Sequence, residues 1–239
     1  MLDKLQNIVD KSSSIVFFGG AGVSTESGIP DFRSVDGLYN QKYDYPPEII
    51  LSHTFFESNP DVFFKFYRDK ILSCSVSAKP NTAHKKLAEL ESKGKLSAVV
   101  TQNIDGLHQS AGSERVFELH GSIHRNYCER CGKFYDVEHM ANSIGIPKCT
   151  CGGTVKPDAV LYEELLDDKT VSGAIKAISS ADTLIIAGTS MTVYPAAGFV
   201  RSFKGENLVV INMSPTAADD KAKVLINGKV GEVLSKITV

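Results

Sequence analysis

The sequence predicts an α/β protein: a parallel sheet with helices on both faces, carrying a smaller inserted domain. Short apolar, β-branched runs at 14–18, 96–101, 183–188 and 208–212 have no polar alternation, as expected of strands buried on both faces. Helix-like stretches at 82–92, 169–180 and 195–201 lie between them, and strands alternating with helices build a parallel sheet. Two tracts break this rhythm. Residues 34–80 are rich in aromatics and read as helical, and residues 121–158 carry cysteines, glycines and short β-prone pieces. The expected division is therefore a parallel-sheet domain of 1–33, 81–120 and 159–239, with 34–80 and 121–158 together forming the small domain.

The opening residues 1–12 place Leu2, Leu5, Ile8 and Val9 on one face of an amphipathic helix. The next run, Ser14-Ile-Val-Phe-Phe18, ends in Gly19-Gly20 and reads as a buried strand entering a tight turn. A chain of 239 residues, 42% hydrophobic and 23% charged, is long enough for one large core with a smaller one attached. Its net charge of -2 gives no field that would draw DNA, RNA or an anionic membrane. Charges at Asp3, Lys4, Asp10 and Lys11 interrupt any signal-peptide core, and no segment approaches the ~20 apolar residues of a membrane span. The expectation is a cytoplasmic monomer.

The turn Gly19-Gly-Ala-Gly-Val-Ser-Thr-Glu-Ser-Gly28 is followed by Ile29-Pro-Asp-Phe-Arg33. Glycines at a strand end let a ligand approach the backbone, and a following helix would present free N–H groups to a phosphate. The spacing is not G-x-G-x-x-G, and no acidic residue ends a second strand about 20 positions on. A pyrophosphate cradle and a plain βα turn fit these residues equally well.

Cys128-x2-Cys131 and Cys149-x-Cys151, separated by 17 residues, approach the spacing of tetrahedral zinc sites. Four thiolates leave no open coordination position, so one structural zinc is expected, with four unrelated cysteines as the alternative. The fifth, Cys74, reads as a small buried hydrophobe. Thr101-Gln-Asn-Ile-Asp-Gly-Leu-His108 follows a strand, and Phe117-Glu-Leu-His-Gly121 leads into the cysteine module. His120 therefore stands at the junction of the two units, as a general base or as a packing residue of the hinge.

Gly20-Ala-Gly-Val-Ser24, Gly28-Ile-Pro-Asp-Phe-Arg33, Thr101-Gln-Asn-Ile-Asp105, Leu119-His-Gly121, the four cysteines and Gly188-Thr-Ser190 occur in the order and spacing of the sirtuins. From Ile15 to about Val233 the chain resembles that family, in its prokaryotic, core-only form. The resemblance implies an NAD-consuming protein deacylase, with NAD between a Rossmann-like lobe and a zinc-binding lobe and an acyl-lysine entering from the other side. It places Gly20, Ala21, Gly22, Thr25, Phe32 and Arg33 near the pyrophosphate and nicotinamide ribose, and Gln102 at the ribose hydroxyls. Asn103, Ile104 and Asp105 would form the nicotinamide pocket, while Gly188, Thr189, Ser190, Asn212, Lys229 and Val230 would line the adenosine end. His120 matches the general base and, with Asn103, the catalytic pair. The acyl oxygen would attack the ribose carbon as nicotinamide leaves. His120 would then help deprotonate a ribose hydroxyl that captures the acyl group, giving free lysine and O-acyl-ADP-ribose.

Val160, Leu161 and Tyr162 align with the segment that pairs with substrate backbone. Two departures from the family pattern fall here: Leu161 replaces an aromatic and Glu163 a usual glycine. Members that prefer succinyl-lysine carry Tyr-x-x-Arg in the helical insertion, and Tyr67 and Lys70 occupy those places. Lysine keeps the charge but loses the fork that grips a carboxylate. The expectation is deacetylation, with weak activity on acidic acyl groups. The alternatives are a mono-ADP-ribosyltransferase and a deacylase that prefers acidic acyl groups such as succinyl-lysine.

Overall fold

The computed structural model of the chain describes residues 1–32, 37–38 and 44–239. Among these, nine strands form two sheets: β1 (Ile15–Gly19), β2 (Leu96–Thr101), β3 (Val116–Glu118), β4 (Asn126–Cys128), β5 (Phe134–Tyr135), β6 (Val155–Pro157), β7 (Thr183–Ala187), β8 (Asn207–Asn212) and β9 (Val224–Asn227). The larger sheet is parallel throughout, in the order β3-β2-β1-β7-β8-β9. From β1 the chain first builds outward to β2 and β3, then returns to β7 on the other side of β1 and builds outward again. The strand order therefore reverses between β1 and β7, where open parallel sheets place their ligand crevice.

Successive side chains of a strand point to opposite faces, and each central strand here feeds two separate cores. Ile15 and Phe17 of β1, Val99 of β2, Ile185 of β7 and Val209 of β8 pack with Leu5, Leu87, Leu90 and Val233 on one face. Val16, Phe18, Val100, Ile186 and Val210 pack with Ala174, Ile178 and Ala197 on the other. The first face is covered by the helices Leu2–Lys11, Thr82–Ser92 and Val230–Leu234. Asn81 caps the second of these: its side chain accepts from the Ala83 N–H at 2.9 Å, and its own N–H donates to His84 Nδ1 at 3.2 Å. The opposite face is covered by the helix Asp168–Ser180 and the 3₁₀ segment Ala196–Ser202.

The doubly covered parallel sheet is the one expected, as are β1, β2, β7 and β8. The edge strands β3 and β9 carry too short a pattern to be noticed, and 195–201 is a tighter 3₁₀ coil rather than a regular helix.

The smaller sheet is antiparallel, in the order β5-β4-β6. Its core is shared with the aromatic-rich tract: Phe55, Phe56, Phe63, Phe64 and Tyr67 pack with Ile123, Cys128, Met140, Cys149 and Val155. Phe63 meets Phe56 and Phe64 edge-on at 5.0 and 5.2 Å and stacks on Tyr67 at 5.9 Å, favourable arrangements of ring quadrupoles. Between residues 47 and 75 the tract is a succession of short helical segments, broken at residues 51–52 and 59, and contains no strand among the described residues. No helix among the described residues is long and apolar enough to cross a membrane. Phe63 is fully buried at the centre of the aromatic cluster, so Phe63→Ala is expected to lower the unfolding free energy by about 3–5 kcal/mol in urea denaturation.

Candidate active site

At the reversal point the carboxyl ends of β1 and β7 touch backbone to backbone. The Gly20 N–H donates to the Ala187 carbonyl at 3.3 Å and the Gly22 N–H to the Gly188 carbonyl at 2.8 Å. A Cβ on Gly22 would lie 2.8 Å from Gly188 Cα, and one on Gly188, at φ +58°, would lie 2.5 Å from Val23 N. Only glycine permits this approach. The turn then continues as two 3₁₀ turns, Ala21–Val23 and Thr25–Ser27, instead of the helix expected to present its N-terminus. An anion here would be met by loop N–H groups, not by a helix dipole.

A cavity of about 570 Å³ opens at this point. Ala21, Gly22, Thr25 and Phe32 line it from the turn, Gln102, Asn103, Ile104 and Asp105 from the end of β2, and His120 from the end of β3. Gly188, Thr189 and Ser190 follow β7, Asn212 ends β8, Lys229 and Val230 open the last helix, and all six line the same cavity, as do Val160, Leu161 and Tyr162. Gly20 is not among the residues lining the cavity; it sits behind the turn, its N–H on Ala187 and its carbonyl accepting the Val23 N–H at 3.0 Å. Arg33 lies outside the described residues. Val160–Tyr162 does not form an extended strand; its pairing is a single bridge between Tyr162 and Ser52.

His120 is held from several directions. Its carbonyl accepts from the Val160 N–H at 2.9 Å, and its Nδ1 lies 3.0 Å from the Gln102 carbonyl oxygen. A carbonyl only accepts, so Nδ1 carries the proton and Nε2 is the ring's basic nitrogen. Burial lowers its pKa below the ordinary histidine value, outweighing the opposite pull of the Gln102 carbonyl. The ring is accordingly neutral at pH 7 and able to take a proton.

Beside it runs a relay of polar contacts. The Asn103 amide donates to Ser24 Oγ at 3.0 Å, and the Ser24 hydroxyl donates to Asp105 Oδ2 at 2.7 Å. The other carboxylate oxygen of Asp105 accepts the Leu107 N–H at 2.9 Å. Ser24 is the member that sequence reasoning passed over, since a serine in a glycine-rich turn looks like turn chemistry. Across the crevice, Thr189 Oγ1 donates to Gln102 Oε1 at 3.2 Å. Gln102 Nε2 is left buried with no acceptor among the described residues, which suits a ligand oxygen.

Tyr67, Lys70 and Cys74 also line the cavity. They come from a stretch whose residues Tyr67–Leu72 are wound as a π-helix, a geometry that often marks functional positions. Cys74 is half-buried and faces the cavity, not the core position expected of it. Glu163 takes a left-handed φ of +78°, which explains why a glycine is common there.

The four cysteines converge. All four Sγ atoms lie within 4.8 Å of one another, with Cys128–Cys151 at 3.5 Å and Cys131–Cys149 at 3.6 Å. Zinc–sulfur bonds of ~2.3 Å set tetrahedral edges of ~3.8 Å, so the donor set fits zinc. The Cys151 N–H helps hold the Cys149 thiol down to about 5. Although the Lys133 N–H lowers Cys131, the thiols of Cys151, Cys149 and Cys128 outweigh it and push Cys131 up to about 12. Four adjacent thiols cannot all ionise without a cation among them. Elemental analysis is expected to find about one zinc per chain, and Cys128→Ser to reduce it several-fold with a fall in melting temperature.

The Sir2 family model matches residues 20–195, which span the glycine turn, His120 and all four cysteines. An NAD-dependent protein deacetylase of Clostridium acetobutylicum is 59% identical over 240 residues, 99% of this chain and 97% of the relative. One of Clostridium perfringens is 60% identical over 240 residues, 99% and 98% of the two chains. Among solved structures, a Sir2–p53 peptide–NAD+ complex matches with a TM-score of 0.86 and 40% identity, covering 98% of this chain and 95% of that one. A Sir2 bound to acetylated peptide matches at 0.86 and 37%, over 98% and 95%. With the family's motifs gathered around one cavity and relatives this similar along the whole length, the chain belongs to the Sir2 family.

Proposed function

We propose that the protein is an NAD-dependent protein-lysine deacetylase that releases nicotinamide and O-acetyl-ADP-ribose, with one structural zinc. The observation that carries this reading is His120: a half-buried, neutral imidazole, anchored through Nδ1, on the wall of a cavity that the glycine turn and Val160–Tyr162 also line. It is supported by full-length relatives called NAD-dependent protein deacetylases and by similar structures that hold NAD+ or acetylated peptide.

The cavity's chemistry suits NAD. The contact between Gly22 and Gly188 leaves the turn without side-chain bulk toward the crevice, and Gln102 Nε2 offers an unused donor. Ala21, Gly22, Thr25 and Phe32 would hold the pyrophosphate side, with Arg33 added there by position. Gln102 would meet the ribose hydroxyls, Asn103, Ile104 and Asp105 the nicotinamide, and Gly188, Thr189, Ser190, Asn212, Lys229 and Val230 the adenosine. When bound, NAD supplies a ribose carbon that nicotinamide can leave and the hydroxyls that accept the acyl group.

The chain's own residues do the rest. The Asp105 carboxylate, fixed by Ser24 and Leu107, locks the loop that carries Asn103 and Ile104. His120 Nε2 receives the proton of a hydroxyl brought against it, while its Nδ1–H stays on the Gln102 carbonyl. Acylated lysine side chains of proteins would enter past Val160, Leu161 and Tyr162. The parallel-sheet unit and the unit built from 34–80 and 121–158 would then form the two walls of the site.

His120→Ala should reduce turnover of an acetyl-lysine peptide by about 10²–10⁴-fold, with thermal melting unchanged. Detection of O-acetyl-ADP-ribose by mass spectrometry checks the reaction, and ADP-ribose on protein in its place would point to the transferase chemistry. Because the His120 pKa lies below its ordinary value, the base form persists through neutrality. The acid limb of the kcat profile should fall below ~6.5.

Tyr67 and Lys70 line the same cavity, and the Tyr67 hydroxyl is buried with no hydrogen-bond partner among the described residues. A flexible ammonium grips a carboxylate less well than a guanidinium fork. Matched peptides should be turned over faster as acetyl-lysine than as succinyl-lysine, with weak succinyl activity that Lys70→Ala removes.

A further inference from the structure

Charged groups gather where the segment Leu161–Glu164 leaves the cavity. Glu164 accepts from three separate parts of the chain. The Leu161 N–H, in its own segment, lies 2.8 Å from Oε2. His53 Nδ1, at the start of the helix His53–Ser58, lies 2.8 Å from Oε1. Lys156 Nζ, on β6, lies 3.0 Å from Oε1 and 3.1 Å from Oε2.

Main-chain bonds reinforce the same seam. The Tyr162 N–H donates to the Leu51 carbonyl at 2.9 Å, and the His53 N–H donates to the Tyr162 carbonyl at 3.0 Å. Glu163 adds a parallel tie, its Oε2 accepting from Thr54 N–H at 2.9 Å and from Thr54 Oγ1 at 2.7 Å. That tie offsets the strain of a non-glycine residue at φ +78°. Leu161, Tyr162, Glu163 and Glu164 line the cavity together with His120.

We propose that Glu164 is a positioning residue for the acyl-lysine substrate, holding the Val160–Tyr162 wall against the helical tract and β6 through His53 and Lys156. This rests on the deacetylase reading. The wall it sets belongs to the substrate side, whereas the NAD side is built from the glycine turn and the end of β7. Loss of the clamp should therefore act on peptide affinity and leave NAD affinity alone.

The clamp also has a pH dependence. Burial would raise the Glu164 pKa, but the Leu161 N–H, His53 and Lys156 outweigh it, so Glu164 stays a carboxylate. The hydrogen bond to Glu164 raises the His53 pKa above 6.5. The ionisable groups facing His53 are Glu164, Glu57, with an oxygen 3.5 Å from Nε2, Glu163 and Lys156, and the Phe56 ring packs beside it. A raised pKa means that the cationic clamp is complete at acid pH and is lost as pH rises through that value. Peptide KM should rise with pH, while the kcat acid limb follows His120, whose shift has the opposite sign.

The experiment is steady-state deacetylation by the full-length, zinc-loaded protein, varying acetyl-lysine peptide and NAD separately from pH ~6 to ~8.5, a window bracketing the histidine range. Wild type should show a roughly threefold rise in peptide KM, the scale of a partly exposed ion pair, with NAD KM flat. His53→Gln should hold peptide KM at the high value across the range. Glu164→Ala should raise it about tenfold, the scale of a lost hydrogen bond to a charged group, and Glu164→Gln, which keeps an acceptor for Leu161, should partly rescue it. The proposal is overturned if Glu164→Gln and His53→Gln leave peptide KM and its pH profile unchanged. It is equally overturned if they raise NAD KM as much as peptide KM, the mark of a general structural effect. Those two variants decide the matter even if Glu164→Ala fails to fold. Wild-type protein inactive on every acetyl peptide would instead remove the deacetylase reading, and the clamp with it.

Discussion

The site depends on two glycine backbones touching where the parallel sheet reverses. Gly22 donates to the Gly188 carbonyl at 2.8 Å, and neither position has room for a side chain. This contact brings the loops after β1 and β7 to the same edge of the crevice. The Gln102 N–H then donates to the Gly19 carbonyl at 3.0 Å, and Thr189 reaches Gln102 from the opposite side. Three strand ends thereby become one wall. An added methyl group would have to move one βα loop off the other.

The second wall is set by the chain's passage through Gly121. At φ +75° its missing Cβ would collide with the Asp158 carbonyl, so the residue after His120 lies directly against the chain leaving β6. Arg125 bridges Glu118 and Asp158, with both contacts at 2.7 Å, and the Val160 N–H closes onto the His120 carbonyl. His120 is thus placed by backbone on both sides, with its ring orientation set by the Gln102 carbonyl. Burial, which costs a charged ring solvation, keeps it neutral. A half-buried neutral imidazole needs no further tuning to act as a base near pH 7.

The aromatic tract and the cysteine module share a core, and that sharing gives the cavity its far side. Neither part contains enough sheet or helix to enclose much apolar surface alone. Phe55, Phe63 and Tyr67 find their burial against Ile123, Met140 and Val155, and the thiol cluster fastens the loops around β4. One consequence is that Tyr67 and Lys70, far from His120 in sequence, line its cavity.

The amino-acid sequence by itself determined the parallel sheet, because Ile15–Phe18, Val99–Val100 and Leu184–Ile186 are apolar on both strand faces and tolerate no wet side. It also determined the cysteine cluster through spacing, and the glycine turn and His120 through motifs held in register. The edge strands β3 and β9 were too short to show a period, and the expected helix after the glycine turn gave way to 3₁₀ turns. Tertiary structure alone decided that Ser24 holds Asp105, that Cys74 faces the cavity, and that Glu163 and Glu164 tie residues 161–164 to residues 53–54 and β6. Periodicity and local motifs record which face of an element is buried. Contacts between side chains some 80 to 110 positions apart, such as Ser24–Asp105 and His53–Glu164, leave no local pattern and exist only once the chain has closed on itself.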